Sequence, residues 1–273
     1  MRPDLAAKWR VRALAGVLIA ACPVAGHAAC WSQKSEIVTM MSLSPDGTVM
    51  LADGRAMRLA GIEPPPNDMA RAGWQKIFDE ITVPVSLRPV LQASDRYGRM
   101  QMMVVTGEGA LLQERLVAAG FARVMPQKKA RDCLASLLAA EVAARQARRG
   151  LWRDPAFAPR AAHDIADLMR REGQYVLVEG KVVGVSERQR RLYINFGADW
   201  RTDFTVTVEP ADAGPFIDEM TKGRVDGIFG LTGASARVRG FLTRYNGPEI
   251  RVTVSEQVEI FSMPDKEKDR DGG

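Results

Sequence analysis

The 273-residue chain carries 38 basic against 33 acidic side chains, a formal charge of +5, and is 46% hydrophobic. That length and apolar content suit one large or two small globular domains. Two histidines and three cysteines with no Cys-x-x-Cys pair argue against a zinc site or a Ser-His-Asp triad, so any metal here is expected to be a hard, oxygen-bound ion. The basic excess does not announce an anionic partner: of the +5, +3 belongs to residues 1–28 and only +2 to the rest.

Residues 1–28 read as an export signal. Arg2, Lys8, Arg10 and Arg12 make a charged start, 13–25 is a short apolar run, and Gly26, Ala28 and Ala29 offer small residues to a signal peptidase. The run is too short to span a bilayer stably. Leu18-Ile19-Ala20-Ala21-Cys22 offers a competing reading, a bacterial lipoprotein box with a lipid on Cys22, although Pro23 directly after it is unusual for that route. The protein is therefore expected outside the cytoplasm, periplasmic or secreted after cleavage near Ala28, or else membrane-anchored as a lipoprotein. No later stretch is apolar for long enough to be a transmembrane helix.

A first strand is expected over 36–43. A hairpin follows over 46–66: Val49 and Leu51 alternate on one strand, Asp53-Gly54 closes the turn, and Met57, Leu59 and Ile62 continue on the second. Pro64-Pro65-Pro66 ends the ladder for want of N–H groups. Arg58 lies inside this apolar strand, where an unpaired charge would be costly, and Glu63 stands at its end, where a carboxylate can face a cleft. A helix is expected over 68–81, with Asp68 as cap and Met69, Trp74, Ile77 and Phe78 on one face. A strand over 83–91 comes next, then the polar turn Asp95-Arg96-Tyr97-Gly98-Arg99, which opens a strand over 100–106. A short helix over 111–119 ends at Gly120, 121–125 is extended, and the longest helix runs over 130–149 to Gly150. Leu151-Trp152 then folds back as an apolar plug. Arg58 and Arg99, brought together beside a carboxylate, would suit a phosphate-like anion, because the guanidinium fork matches phosphate oxygens bidentately. Ordinary ion pairs with Asp53, Asp95 or Glu63 are the alternative.

A proline-bearing linker over 155–159 and a helix over 161–171 mark a boundary. Strands follow over 175–186, 191–196, 202–209, 236–245 and 249–254, with Asn246-Gly247 as a hairpin turn and a helical insert over 215–220. Five strands with a helix after the third match a small OB-type barrel, with a β-sandwich fragment as the alternative. The division is thus 1–28 signal peptide, 29–157 first domain, 158–172 helical linker, 173–263 OB-like β domain, and 264–273 a charged tail read as disordered. The second module carries Tyr193, Phe196, Trp200, Phe204, Phe241 and Tyr245. Most of these rings are expected in the core. Residues 158–273 hold 17 basic against 19 acidic side chains, which disfavours phosphate tracking by this module alone. Cys30 and Cys133 are the two cysteines left after cleavage near Ala28, and an oxidising compartment would join them in a disulfide; the alternative is a buried free Cys133.

Residues 44–153 resemble the staphylococcal nuclease (thermonuclease) family. The resemblance rests on Asp46-Gly47-Thr48-Val49-x-Leu51, Arg58-Leu59-x-Gly61-Ile62, Asp95-Arg96-Tyr97-Gly98-Arg99, Leu116-Val117-x-x-Gly120-x-Ala122, and Glu141…Ala144-Arg145…Gly150-Leu151-Trp152, in that order. It implies a mainly β fold with helices (α+β): a five-stranded OB-type barrel with three helices, followed here by an extra C-terminal module. It also implies a nuclease, a hydrolase that cuts DNA and RNA with calcium.

In that family two aspartates and a backbone carbonyl hold the ion, a glutamate orients water, and two arginines hold the phosphate. Arg58 and Arg99 fall on the two arginine positions, and Glu63 falls on one metal position. Gly47 stands where the second metal aspartate belongs, Asp46 is one residue early, Pro64 takes the carbonyl position, and Pro66 replaces the base. Calcium would then be weakly held, by Glu63 with Asp46 as a lesser ligand. Three function classes follow: an exported protein with a degenerate nuclease site that binds nucleic acid or another phosphate-bearing anion through its arginine pair; an active calcium-dependent endonuclease rebuilt with Asp46 or Asp68; and a non-catalytic structural or interaction protein of the envelope.

Overall fold

The computed structural model describes residues 35–90, 94–107, 109–222 and 225–263. The leader, Cys22, Cys30 and the tail lie outside the described residues. Two sheets carry the fold.

The first sheet is built from β1 (Glu36–Val38), β2 (Met40–Leu43), β3 (Thr48–Leu51), β4 (Ala56–Leu59), β5 (Val85–Pro89) and β6 (Met100–Val105). Its order is β1-β5-β6-β4-β3-β2, so consecutive chain segments stand at its two edges. The expected strand over 36–43 is in fact broken at Thr39. Its first half pairs with β5 and its second with β3. That bend curls the sheet round on itself, as closure of a small barrel demands. β3 and β4 form the expected hairpin, with Gly54 at φ 85° in the turn, and β4 runs parallel to β6. The second hairpin strand stops at Leu59. Ile62 instead makes a bridge to Val124.

Three helices pack on this barrel: α1 (Asp68–Asp79), α2 (Leu112–Ala118) and α3 (Arg131–Gln146). Asn67, not Asp68, caps α1, its side chain accepting from the Ala70 N–H at 2.9 Å. The residue one position earlier has the extended backbone that capping needs. Trp74 and Ile77 are buried as expected, whereas Met69 is exposed. Gln113, fully buried on α2, accepts from Val104 N–H at 3.2 Å and donates to the Met102 carbonyl at 2.8 Å, fixing the helix to β6. Gly120 and Gly150 let two chain segments touch: a Cβ on Gly120 would lie 2.3 Å from the Arg149 carbonyl oxygen. Leu151 and Trp152 are buried, as the plug reading expects.

The expected helix over 161–171 is shorter. Arg160–Ala161 forms β7, parallel to the next strand, and α4 covers only Ile165–Arg170. The second sheet adds β8 (Tyr175–Lys181), β9 (Gly184–Arg188), β10 (Arg191–Asn195) and β11 (Thr205–Val208), then α5 (Pro210–Met220), β12 (Ser235–Tyr245), β13 (Gly247–Val252) and β14 (Val258–Ser262). β14 pairs with β12 and lies beyond the strands read from the sequence. The order β8-β12-β13-β11-β10-β9 repeats the logic of the first sheet. Its first strand is split into β8 and β9 at the two ends of that order, with β7 added outside β8; its third runs parallel to its fifth, and a helix follows the third. This is the barrel alternative, not the sandwich. Of the six aromatic residues singled out there, only Phe196 and Phe204 are buried. Trp200, Phe241 and Tyr245 are 50–64% exposed, so the expectation that most are core fails.

The two barrels meet through charge. Arg239 of β12 and Glu141 of α3 are both fully buried and lie 2.9 Å apart, and Arg239 also pairs with Glu259. Glu141 accepts the Val124 N–H at 2.6 Å, and the Tyr175 hydroxyl donates to the Val124 carbonyl at 2.7 Å. Lys128 with Asp212, and Arg131 with Glu256 at 2.7 Å, close the rim. Trp152 and Ala144 pack on Leu177 across the same seam.

Candidate functional site

Arg58 projects from β4 between the buried Met57 and Leu59, and is itself only partly exposed. Register places Thr48 opposite it on β3 and Gln101 beside it on β6. Arg99 arrives from the turn before β6, where Gly98 at φ 76° reverses the chain. Asp95 organises that turn. It accepts from the Tyr97 and Arg99 N–H groups at 2.8 and 3.0 Å, and from Arg99 Nε at 2.8 Å. Those bonds, that from the Arg99 side chain foremost, hold the Asp95 carboxyl down at about 2.

Both arginines reach a single oxygen. Arg58 Nη2 lies 2.7 Å, and Arg99 Nη1 3.1 Å, from Asp46 Oδ2. Asp46 sits in the turn before β3, where its side chain also accepts the Thr48 N–H at 3.0 Å and the Thr48 hydroxyl at 2.9 Å. Burial pushes the Asp46 carboxyl up, but the Thr48 hydrogen bonds and the two arginine charges together hold it below its ordinary value. Burial, with Arg99 alongside, makes the charged form of Arg58 less favourable than usual, against the pull of Asp46. Arg58 Nε is buried without a hydrogen-bond acceptor among the described residues. Of the ion pairs named as the alternative, that of Arg99 with Asp95 is present, and neither arginine pairs with Asp53 or Glu63. Asp53 is engaged by Arg55.

Glu63 belongs to a different cluster. Arg123 holds it bidentately, at 2.7 and 2.9 Å. The Arg123 guanidinium stands 5.2 Å from the ring centres of both Phe157 and Tyr175, so the second barrel helps to wall this pair in. Burial raises the Glu63 carboxyl above its ordinary value, and the Arg123 bonds only partly oppose this. Sequence reasoning missed Arg123, although an arginine between Phe121-Ala122 and Val124-Met125 carries the same signal as Arg58: a charge in an apolar run. It also missed Asp46 as the acceptor shared by both arginines.

The remaining family positions are occupied as follows. Gly47 has φ 81°, and a Cβ there would lie 2.8 Å from Pro65 Cδ and 3.3 Å from the Trp74 ring. The space for a side chain is filled. Pro66 is exposed. Asp68 is ion-paired with Arg71 of its own helix. Asp46 and Glu63 are each engaged by arginine, and among the described residues no group of three His, Cys, Asp or Glu stands together to hold a metal ion. Among the described residues, too, no helix is long and apolar enough to cross a membrane.

Comparison with known proteins gives one finding. Residues 70–154 match the family described as staphylococcal nuclease homologue. The match spans α1 to α3 and Arg99, and begins after Asp46, Arg58 and Glu63. No curated protein matches the chain. The helices, the parallel pairing of β4 with β6 and the curled first sheet all agree with that match of residues 70–154 to the staphylococcal nuclease homologue family.

Proposed function

We propose that the first barrel is a nuclease-type fold kept as an anion-binding protein. Arg58 and Arg99 take a phosphate of nucleic acid, or of another phosphate-bearing anion, without calcium-assisted hydrolysis. One observation carries this reading: two guanidiniums converge on Asp46 Oδ2, so the pair is already assembled around a single anionic oxygen. Hydrolysis fails on separate grounds. Glu63 is engaged by Arg123, Gly47 has no room for a carboxylate, and Pro66 cannot take a proton, a loss typically worth about 10²–10⁴-fold in rate.

The test is a cleavage and binding assay on the purified mature chain. Neither DNA nor RNA is cut with added calcium, and a short labelled oligonucleotide binds with an affinity that falls with salt and is weakened in Arg58→Ala/Arg99→Ala. Calcium-dependent turnover abolished by Arg58→Ala and by Glu63→Ala would falsify the reading and restore the enzyme. An absence of any anion binding leaves the envelope structural role.

The same proposal places the protein outside the cytoplasm. The leader supports this, with cleavage near Ala28 preferred to a lipid on Cys22. A disulfide between Cys30 and Cys133 goes with export, because an oxidising compartment would join the two cysteines left after cleavage near Ala28. N-terminal sequencing of the exported protein checks the first point. Thiol titration of unfolded, unreduced protein checks the second, with two free thiols as the contrary result.

A further inference from the structure

The second barrel presents an open face that the arginine pair does not use. On β10, Tyr193 and Asn195 point outward on either side of the buried Ile194. Thr207 and Thr205 of β11 lie opposite them, and Arg251 and Glu249 of β13 lie beside those. A cavity of about 260 Å³ opens here, walled by Tyr193, Trp200 and Tyr245 and floored by Asn195, Thr207 and Glu249. A larger, shallower depression of about 720 Å³ shares Tyr245 and Glu249 with it. This one runs past Phe241, Arg244 and Arg251 to the seam with the first barrel at Gln127. Together they make one groove across the sheet.

The charges of this module are sorted in space, which its overall composition conceals. Its acids Asp212, Glu219, Glu256 and Glu259 face Lys128, Arg131 and Arg145 of the first domain. The groove is left with Arg188, Arg191, Arg244 and Arg251. Glu209 engages Arg191 and Arg251. Arg188 and Arg244 make no ion pair among the described residues. Glu249 is buried at the floor, where the Thr207 hydroxyl donates to it. A buried carboxylate at the centre, rings around it and unpaired arginines at the edge suit a ligand that is flat and polar in the middle and anionic along its length.

We propose that this groove is a second binding site, for a single-stranded polynucleotide. Unpaired bases stack on Tyr245, Trp200 and Tyr193, their polar edges meet Asn195, Thr207 and Glu249, and the phosphates run past Arg188 and Arg244. A duplex keeps its base faces stacked on each other and cannot offer them to these rings. A neutral glycan would use the rings and amides but leave the two arginines without a partner. The site goes beyond the anion-binding reading of the first barrel and shares no residue with it.

The experiment uses the full mature chain carrying Arg58→Ala/Arg99→Ala, so that the first site is silent, with fluorescein-labelled dT12 as the probe. Residual binding is expected. It weakens about tenfold or more for each of Trp200→Ala and Tyr245→Ala, and its log–log salt slope becomes shallower by about 0.7 for each of Arg188→Ala and Arg244→Ala. These four side chains are exposed, and circular dichroism confirms that the variants fold. Three results overturn the proposal: no dT12 binding in the Arg58→Ala/Arg99→Ala chain, dT12 binding that the ring variants leave unchanged, or a Trp200 fluorescence change given by chitotetraose and not by dT12. None of them bears on whether Arg58 and Arg99 bind anions in the native chain, so the two readings fail separately.

Discussion

Replacing Asp46 by asparagine is expected to tighten anion binding at the arginine pair. In the native chain any incoming phosphate must displace the Asp46 carboxylate from Arg58 at 2.7 Å and Arg99 at 3.1 Å. The Asp46 side chain is 53% exposed, so each pair has the strength of a solvent-screened contact, about 0.2–1 kcal/mol. Giving up both costs about 0.5–2 kcal/mol, which corresponds to about 2–30-fold in affinity. Asparagine keeps an oxygen for the Thr48 N–H, so the turn before β3 persists. Acid does not substitute for the mutation. The Asp46 carboxyl is held below its ordinary value, so it stays ionised across neutral and mildly acidic pH. The assay is fluorescence anisotropy of a labelled oligonucleotide at low salt with inorganic phosphate as competitor, repeated at high salt, where the gain shrinks. The reasoning is refuted if Asp46→Asn binds no tighter than the native protein, or if its gain persists in Arg58→Ala/Arg99→Ala.

Three further outcomes are expected. Gly47→Asp, which puts a carboxylate at the family's metal position, should lower stability by about 1–3 kcal/mol in urea unfolding without creating calcium binding by calorimetry. A side chain there meets Pro65 and must adopt φ 81°; a stable, calcium-binding variant contradicts the site description. Glu141→Gln should cost about 3–5 kcal/mol, because it leaves Arg239 buried without its closest partner in the first barrel; a loss under about 1 kcal/mol shows that Glu259 alone suffices. Asp95 has a depressed folded pKa of about 2 against 3.8 unfolded, so its contribution is complete above about pH 4 and is lost as the pH falls toward 2. Asp95→Asn should therefore be less stable than the native chain at neutral pH, with the gap closing in acid; a gap that is constant across that range rules out the linkage.

Local pattern already determined much of this molecule. Alternation gives the hairpin of β3 and β4, Asp53-Gly54 its turn, helical spacing gives α1 to α3, and the glycines at 120 and 150 mark where segments end. The two arginines and the family motifs are legible because each is a residue type at a fixed local offset. Tertiary structure decided which charge meets which. Arg99 and Asp46 are 53 residues apart in sequence, and Arg123 and Glu63 are 60 apart. No local period reports such pairs. Their choice depends on the bend at Thr39, on β4 lying parallel to β6, and on the second barrel setting Tyr175 against Arg123. The same holds for the second module. Its near-neutral composition is fixed by the sequence, but the fold turns Asp212, Glu219, Glu256 and Glu259 toward the first domain and leaves Arg188 and Arg244 on the open face. A charge acts over a few ångströms of space, and only the folded chain defines those distances.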